Sequence, residues 1–385
     1  MIIGVPKEIK NHEYRVGLTP GSVKELTLNG HSVLVESNAG LEVGFSDDKY
    51  IDAGATIVNS AQKVFHNSEM IVKVKEPQPN ECKMLRKDQL LFTYLHLAPD
   101  PLQTQLLIES GCSAIAYETV TDNKGRLPLL APMSEVAGRL SVQAGAHCLE
   151  KAQGGSGVLL GGVPGVKAAK VTVIGGGVVG LNAIRMAIGM EAHVTVLDRS
   201  IDRLKELDDY FGPKLNTIYS TKDNLEKYVT EADLVVGAVL IPGAAAPRLV
   251  TRDMLRKMKK GSVIVDVAID QGGCFETSKA TTHDHPTFIE EGVVHYCVAN
   301  MPGAVARTST EALNNVTLPF VISLANNGLN KALSSNEHLL NGLNIYRGQL
   351  TCKAVGDALN VKVTNIKDIL TKETKEIYTS IETAN

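Results

Sequence analysis

The sequence predicts an α/β protein built from two doubly wound parallel-sheet domains with a cleft between them. Its 385 residues exceed the roughly 100–200 of a typical domain, so two hydrophobic cores are expected. Short apolar runs alternate with helical patterns along most of the chain, as they do in βαβ units. With 34 glycines and 4% aromatic residues, the composition fits closely packed parallel sheets better than an aromatic-rich β-sandwich.

The apolar runs predict where the strands lie. Residues 1–7 form an opening strand, and the other predicted strands are 32–36, 70–74, 90–95, 113–117, 170–174, 193–197, 217–220, 233–239, 262–267 and 293–298. Helical patterns occupy 20–29, 101–110, 203–211 and 252–259. No strand is predicted after Asn300, where 308–327 and 339–359 have the pattern of long helices.

This order predicts an inserted domain. A nucleotide-binding domain is expected at 132–304, between the two parts of a substrate domain, 1–131 and 305–385. A cleft between two such domains is where a small ligand usually binds. The polar tail beyond Leu359 is assigned no role.

Charge and composition exclude several classes of function. The chain has 39 basic and 42 acidic residues and no basic block, which argues against nucleic acid as a partner. The apolar stretch 171–190 has four glycines in its first ten positions and contains Asn182 and Arg185, so a membrane span is not expected. Six scattered cysteines without a C-x-x-C pair indicate reduced thiols and a cytoplasmic protein, and no targeting signal is evident. His283 and His285 have no companion ligands at a familiar spacing, so no metal site is predicted.

A glycine motif follows the strand 170–174 and precedes a helical stretch. Gly175 permits a tight turn, Gly177 lets the backbone approach a pyrophosphate, and Gly180 lets the helix pack close to the strand. The next strand ends at Asp198, 18 residues after Gly180, close to the ~20 expected for a carboxylate that binds the adenosine ribose. Together these features predict a Rossmann-like dinucleotide site. The carboxylate favours NAD over NADP, although the neighbouring Arg199 is either a solvated turn residue or a phosphate ligand.

The first domain offers ionisable residues near the ends of its strands. Lys73 and Lys75 lie on one face of a strand, and either is a solvated lysine or a ligand for the substrate. Lys75 is the better ligand candidate because it lies at the carboxyl end. His96 follows an apolar strand and is either a hydrogen-bonded structural histidine or an acid–base group. Arg15 is either a surface arginine or a bidentate ligand for a substrate carboxylate.

The second domain contains two aspartates in or directly after one apolar run. Asp270 comes directly after the apolar run 263–269, where it is a helix cap, a turn former or a carboxylate that reaches the nicotinamide. Asp266, in the middle of the run, is interpreted as structural.

Several segments give the chain a family resemblance that extends nearly to Leu359. They are GVPKE (4–8), EYRV (13–16), VKEP (74–77), TYLHLA (93–98), DVAIDQGG (266–273) and ANMPGAV (299–305). The chain resembles the family that alanine dehydrogenase shares with the soluble NAD-binding subunit of proton-translocating transhydrogenase. The resemblance implies reversible, NAD-dependent oxidative deamination of L-alanine to pyruvate and ammonia, by a cytoplasmic homohexamer.

The resemblance also implies roles for individual residues. Arg15 and Lys75 would bind the substrate, and His96 and Asp270 would donate or accept protons. With the glycine motif included, the expected NAD contacts are Ser134, Gly175, Gly177, Val178, Val179, Gly180, Asp198, Arg203, Ser220, Val239, Leu240, Val267, Ala268, Ile269, Asp270, Val298, Ala299, Asn300 and Met301.

Three other functions are open alternatives. A transhydrogenase-type subunit would bind NAD(H) and pass hydride to a membrane-anchored partner, but it should lack Arg15, Lys75, His96 and Asp270 as a set. An opine- or saccharopine-type dehydrogenase would differ mainly in pocket size. A non-catalytic NAD sensor would bind the dinucleotide without turnover.

Overall fold

The computed structural model describes residues 1–239 and 246–366. The chain divides into two compact units, Met1–Pro132 together with the chain from Ala306, and Met133–Val305. We call them unit 1 and unit 2. Their strands are β1 (Ile2–Val5), β2 (Ser32–Glu36), β3 (Thr56–Val58), β4 (Met70–Val72), β5 (Leu90–Thr93), β6 (Ser113–Ala116), β7 (Lys170–Ile174), β8 (His193–Asp198), β9 (Leu215–Tyr219), β10 (Leu234–Gly237), β11 (Val263–Asp266), β12 (Thr287–Glu290), β13 (Val293–Tyr296), β14 (Leu343–Tyr346) and β15 (Gln349–Leu350).

The helices lie mostly between the strands. They are α1 (Pro20–Leu28), α2 (Asp47–Asp52), α3 (Ala61–Asn67), α4 (Pro79–Cys82), α5 (Pro101–Ser110), α6 (Ala131–Cys148), α7 (Val178–Gly189), α8 (Ile201–Phe211), α9 (Lys222–Glu231), α10 (Arg252–Lys257), α11 (Ala306–Ser335), α12 (Glu337–Asn341) and α13 (Lys353–Leu359). Among the described helices, none combines the length and the apolar character that a membrane span requires.

Local signals explain where a helix such as α5 begins and ends. The side chain of Asp100 accepts a hydrogen bond from the backbone N–H of Gln103, and Pro101 occupies the first helical position. The helix ends at Gly111, whose φ of 72° is left-handed and favours glycine.

Unit 1 is organised around a sheet whose strand order is β15-β14-β6-β5-β4-β1-β2-β3 in the described residues. β1 pairs in parallel with both β2 and β4, so the strand order reverses between β1 and β4. Ligands of open α/β sheets bind beyond the carboxyl ends of the strands at such a reversal. The residues that follow β1, β4 and β5 therefore lie at the edge of the sheet that is suited to ligand binding.

Unit 2 has the order β12-β13-β11-β10-β7-β8-β9 among its described strands, and here the reversal lies between β7 and β10. Alternate residues of its strands face opposite sides. Val235 and Ile264 pack in one hydrophobic cluster, whereas Val236 and Val265 pack in another. Both faces of the sheet are thus covered, as expected for a doubly wound fold. The predicted α/β class with two parallel-dominated sheets is confirmed.

The structure corrects the prediction for the segment after Asn300. Strands do occur there: β14 pairs antiparallel with β6, and β15 pairs antiparallel with β14. Residues 339–359 are therefore not one long helix. Arg347 and Gly348, with φ of 47° and 75°, form the two-residue turn that joins β14 to β15. The predicted helix 308–327 is part of α11, which is interrupted at Gly328, where φ is 70° and ψ is 167°.

The burial of the cysteines can be tested by their reactivity. Five are buried: Cys82, Cys112, Cys148, Cys274 and Cys297. Burial raises the pKa of Cys82 and Cys297 to about 12 and that of Cys112 and Cys148 to about 11. Because the thiolate is the reactive form, we expect iodoacetamide at neutral pH to alkylate the half-buried Cys352 at least about tenfold faster than the other five.

Peptide mass spectrometry over a time course measures this difference, and denaturation in urea is the control that should make all six cysteines react. Alkylation of native Cys274 or Cys297 as fast as that of Cys352 would contradict the described packing.

Candidate functional site

The turn after β7 in unit 2 has the geometry of a phosphate-binding loop. Gly175 has a φ of 96°, which glycine adopts without steric cost. A side chain is excluded at Gly180 because its Cβ would lie 1.8 Å from the carbonyl oxygen of Gly175. Apart from its chain neighbours, no described residue has an atom within 4 Å of the Cβ position of Gly177, so the backbone there is open to a ligand. The turn leads into α7, which begins at Val178. The backbone N–H groups of its first turn, which includes Val179, have no acceptor within the helix and can donate to a phosphate.

Asp198, the last residue of β8, is fixed beside this turn. Its Oδ2 accepts a hydrogen bond of 2.7 Å from the N–H of Gly176, and its Oδ1 accepts one of 2.8 Å from the N–H of Ser200. Arg203 approaches the same turn, because its Nε donates to the carbonyl oxygen of Gly176 at 2.6 Å. The carboxylate and the guanidinium are therefore held at the carboxyl ends of β7 and β8.

Other predicted NAD contacts lie around the same sheet edge. Ser220 follows β9, and its N–H donates to the carbonyl oxygen of Asp198 at 2.9 Å. Val239 lies after β10, and its Cγ2 is 3.2 Å from the Cβ position of Gly175. Ser134 is half-buried near the start of α6. Leu240 lies outside the described residues.

Asp266 anchors the loop that follows β11. Its Oδ1 accepts from the N–H of Ala268 at 3.2 Å, and its Oδ2 accepts from the N–H of Cys274 at 3.0 Å and from the hydroxyl of Ser278 at 2.5 Å. Burial raises the pKa of this carboxyl, while its hydrogen bonds act in the opposite direction. Asp266 therefore ties down both ends of the segment that contains Asp270.

Asp270 itself is exposed, within a short 3-10 helix at Ile269–Gln271. Its side chain is thus accessible to a ligand on the surface of unit 2. The remaining predicted segment follows β13: Val298 and Met301 are buried, whereas Asn300 is half-buried and has a φ of 63°. Its carbonyl oxygen lies 3.2 Å from Nε2 of His283.

In unit 1, Arg15 lies in the loop after β1 and is buried, not at the surface. Its side chain is 2% exposed and pairs with Glu13, whose oxygens lie 2.6 Å from Nε and 2.5 Å from Nη2. Burial alone would lower the pKa of Arg15, but Glu13 raises it, so the guanidinium stays charged. The Glu13 carboxylate thus occupies the Nε–Nη2 edge of the guanidinium in bidentate fashion. A pocket of about 280 Å³ lies against this loop and is lined by residues 7–15, Ala39 and Glu42.

Lys73 and Lys75 have different surroundings, although both follow β4. Lys73 is fully buried, and its Nζ lies 3.0 Å from Oε2 of Glu8 and 2.7 Å from Oε1 of Glu81. The possibility that it is solvated is therefore excluded. Lys75 is half-buried, and its N–H lies 3.3 Å from Oε1 of Glu8, which also accepts from the N–H of Val74 at 2.7 Å.

His96 follows β5 and presents an exposed ring on a constrained backbone. Its φ is 49°, and its N–H donates to Oε1 of Glu118 at 2.6 Å. The imidazole stacks on the ring of Tyr94, with centroids 5.7 Å apart and planes at 26°. Tyr94 is itself fixed, since its hydroxyl donates to the carbonyl oxygen of Leu129 at 2.6 Å.

Glu76 is a site residue that the sequence did not single out. Its side chain forms an ion pair with Lys10, and its Oε2 lies 3.8 Å from Nδ1 of His96. Glu76 is part of the segment VKEP, but nothing in the neighbouring sequence indicates that the loop after β1 contacts it. Glu8, Glu13, Glu118 and Tyr94 were overlooked in the same way, because their roles depend on contacts between separate strand ends.

Two larger pockets, of about 510 and 830 Å³, are lined by described residues that include none of the candidates. One of about 830 Å³ is lined by residues at the amino ends of β7 and β8, including Lys170 and His193. That end of a parallel sheet is opposite to the one that binds ligands. No group of three or more metal-ligating side chains occurs within 1–239 and 246–366.

Comparison with known proteins assigns the chain to a family. Residues 4–137 match the model described as "Alanine dehydrogenase/PNT, N-terminal domain", and residues 141–353 match "Alanine dehydrogenase/PNT, C-terminal domain". The chain belongs to the alanine dehydrogenase/PNT family. The family's two domain models together cover most of the residues that the structure describes.

Individual members of the family show how close the similarity is. The chain is 61% identical to an alanine dehydrogenase of Halomonas elongata, over 94% of this chain and 98% of that protein. A solved L-alanine dehydrogenase structure matches with a TM-score of 0.91 and 54% identity, covering 94% of this chain and 99% of its own. A transhydrogenase from Sinorhizobium meliloti matches at 26% identity with a TM-score of 0.81, covering 91% of this chain and all of its own.

Proposed function

We propose that this protein is an L-alanine dehydrogenase that catalyses the reversible NAD-dependent oxidative deamination of L-alanine to pyruvate and ammonia. The observation that carries the proposal is the 61% identity to an alanine dehydrogenase across nearly the whole of both chains. The transhydrogenase alternative is disfavoured, since the match to a transhydrogenase is only 26% identical.

The turn of unit 2 fits the cofactor that this reaction needs. Gly175 and Gly180 leave no room for side chains, Gly177 is open, and Asp198 lies beside them as a carboxylate for the ribose hydroxyls. Asp198 would repel a 2′-phosphate, which favours NAD over NADP. When bound, NAD supplies the acceptor for the hydride that leaves the substrate Cα.

Unit 1 supplies the groups that bind the amino acid and move its protons. The Arg15 guanidinium binds the carboxylate of L-alanine, and the Lys75 ammonium donates to the developing carbonyl oxygen. Loss of the hydride leaves an iminium at Cα, and the imidazole of His96 accepts a proton from the water that attacks this carbon; it returns the proton in the reverse direction. The carboxylate of Asp270, on unit 2, orients that water or the departing ammonia.

The proposal is tested by mixing the purified protein with L-alanine and NAD and following NADH absorbance. We expect NADH to form with L-alanine, and NADH to be consumed with pyruvate and ammonium. D-Alanine, L-lysine and NADP serve as comparison substrates. Binding of NADH without any turnover would support a sensor or a transhydrogenase-type subunit, and turnover only with larger amino acids would support an opine- or saccharopine-type dehydrogenase.

Replacement of Asp198 by asparagine should reduce the discrimination against NADP. The change keeps the acceptor for the N–H of Gly176 but removes the charge that repels a 2′-phosphate. We expect the ratio of kcat/KM for NAD over NADP to fall by about tenfold or more, equivalent to about 1.4 kcal/mol. The measurement is steady-state kinetics with both cofactors.

Asp209→Asn is the matched control, because Asp209 is an exposed acid on α8. It should leave the ratio unchanged. An Asp198→Asn enzyme with an undiminished preference for NAD would remove this carboxylate from cofactor selection.

The family resemblance also supports assembly and location. We infer a homohexamer in the cytoplasm that acts on free small molecules. Sedimentation analysis of the purified protein distinguishes a hexamer from a dimer.

A further inference from the structure

Three contacts restrict His96 before any ligand binds. Its backbone is held in a left-handed conformation, with a φ of 49°, by a hydrogen bond of 2.6 Å to Glu118. One face of its ring is covered by Tyr94. The third contact is at the ring edge, where Nδ1 faces Glu76. The backbone and ring-face contacts limit where the ring lies, but neither determines which ring nitrogen bears the proton.

The two oxygens of Glu76 have different environments. Oε1 forms the ion pair with Lys10. Oε2 is buried and accepts no hydrogen bond from any group in the described chain. Its distance of 3.8 Å to Nδ1 of His96 is longer than a hydrogen bond, although contacts of this type commonly tighten when substrate binds. A buried carboxylate oxygen without a donor is energetically unfavourable, and the N–H of the imidazole is the donor placed to satisfy it.

The charge of Glu76 is maintained despite its burial. Burial alone would raise the pKa of this carboxyl, but His96, Lys75 and Lys10 together lower it below its usual value. Glu76 is therefore a carboxylate at neutral pH, which accepts hydrogen bonds and cannot donate them.

We propose that Glu76 is the positioning residue of His96: its Oε2 accepts the Nδ1 proton and so leaves Nε2 as the basic nitrogen. The inference rests on the proposed function, in which His96 moves the substrate proton. A carboxylate at Nδ1 selects the tautomer of the neutral ring and stabilises the imidazolium that forms during turnover. Lys10 holds the other oxygen, so that the carboxylate cannot rotate away from the ring.

The decisive readout is the protonation pattern of the His96 ring, recorded by solid-state NMR on protein labelled with ¹⁵N-histidine. The His96 signals are assigned by their loss in His96→Asn. In the wild-type protein at a pH where the ring is neutral, we expect Nδ1 to bear the proton. In Glu76→Gln, the side-chain amide no longer enforces this tautomer, and the Nε2–H form should appear.

Kinetics give a second readout. We expect Glu76→Gln to lower kcat for L-alanine by about 10- to 100-fold with a change in KM of less than about threefold. Glu109→Gln is the matched control, since Glu109 is an exposed acid on α5, and it should change neither kcat nor the ring signals. NADH binding, measured by fluorescence, confirms that each variant retains the dinucleotide site.

Two results would overturn the proposal: an Nε2–H tautomer in the wild-type protein, or an unchanged ring pattern and kcat in Glu76→Gln. The first needs no variant, so a folding defect of Glu76→Gln would not leave the question undecided. If the wild-type protein lacked activity on L-alanine, the proposed function would fail, whereas the NMR measurement would still test the contact between Glu76 and His96.

Discussion

Replacement of His96 by alanine is expected to lower kcat for L-alanine oxidation by about 10²- to 10⁴-fold while leaving the affinity for NADH within about twofold. The proposed proton transfer needs a titratable ring at the end of β5, and an alanine has none. The glycine turn that is proposed to bind the dinucleotide belongs to unit 2, whereas His96 belongs to unit 1. We therefore expect NADH to bind the variant as it binds the wild type. Steady-state kinetics measure the first quantity, and fluorescence titration with NADH measures the second.

The variants must separate the effect of losing the imidazole from the effect of straining the backbone at residue 96. Because His96 has a φ of 49°, alanine there is strained, whereas asparagine tolerates this conformation well. His96→Asn should therefore lose as much activity as His96→Ala but less stability. His66→Ala, at an exposed histidine of α3, is the matched control and should behave as the wild type. Activity within about threefold of wild type in His96→Asn would remove the ring from the mechanism.

Replacement of Lys73 by methionine is expected to lower the free energy of unfolding by about 3–5 kcal/mol. The ammonium lies between two buried carboxylates, at 3.0 Å from Glu8 and 2.7 Å from Glu81. Burial alone would lower the pKa of Lys73, but these carboxylates raise it, so the ammonium stays charged in the folded protein. A methionine would leave both buried carboxyl groups without their cation. Urea denaturation followed by circular dichroism measures the loss.

Two further variants sharpen this test. Lys83→Met changes an exposed lysine just after α4 and should alter the free energy of unfolding by less than about 0.5 kcal/mol. The triple variant Lys73→Met, Glu8→Gln, Glu81→Gln should recover part of the loss, because neutral amides remove the unpaired charges and still accept the backbone hydrogen bonds of Val74 and Gln78. If Lys73→Met were as stable as Lys83→Met, the buried ion pairs would not be important for folding.

The buried ion pairs also connect stability to the site. Glu8 accepts from the N–H groups of both Val74 and Lys75, so it fixes the backbone that presents the Lys75 ammonium.

Local patterns were enough to predict the elements that have their own signals. The run 90–95 predicted a strand with His96 directly after it, and in the structure β5 ends at Thr93, three residues before His96. The glycine motif likewise predicted the turn between β7 and α7, since its requirements are contained in a few consecutive residues. The strands after Asn300 were missed because β14 is stabilised by pairing with β6, more than 200 residues away.

The same reasoning explains which site residues were missed. Lys73 looked like a solvated lysine because one of its partners, Glu8, is 65 residues distant. Glu76 has no motif of its own, and its significance depends on the loops after β1 and β5 meeting it. Asp266 was interpreted as structural, and its hydrogen bonds to the segment around Asp270 show how a structural residue can hold a functional segment.

The central claim is that this chain transfers the Cα hydride of L-alanine to NAD. Incubation with L-alanine deuterated at Cα, followed by mass spectrometry of the reduced dinucleotide, tests it directly. We predict that the NADH carries one deuterium, with pyruvate and ammonia formed in equal amounts. NADH without deuterium, or no NADH at all, would contradict the account.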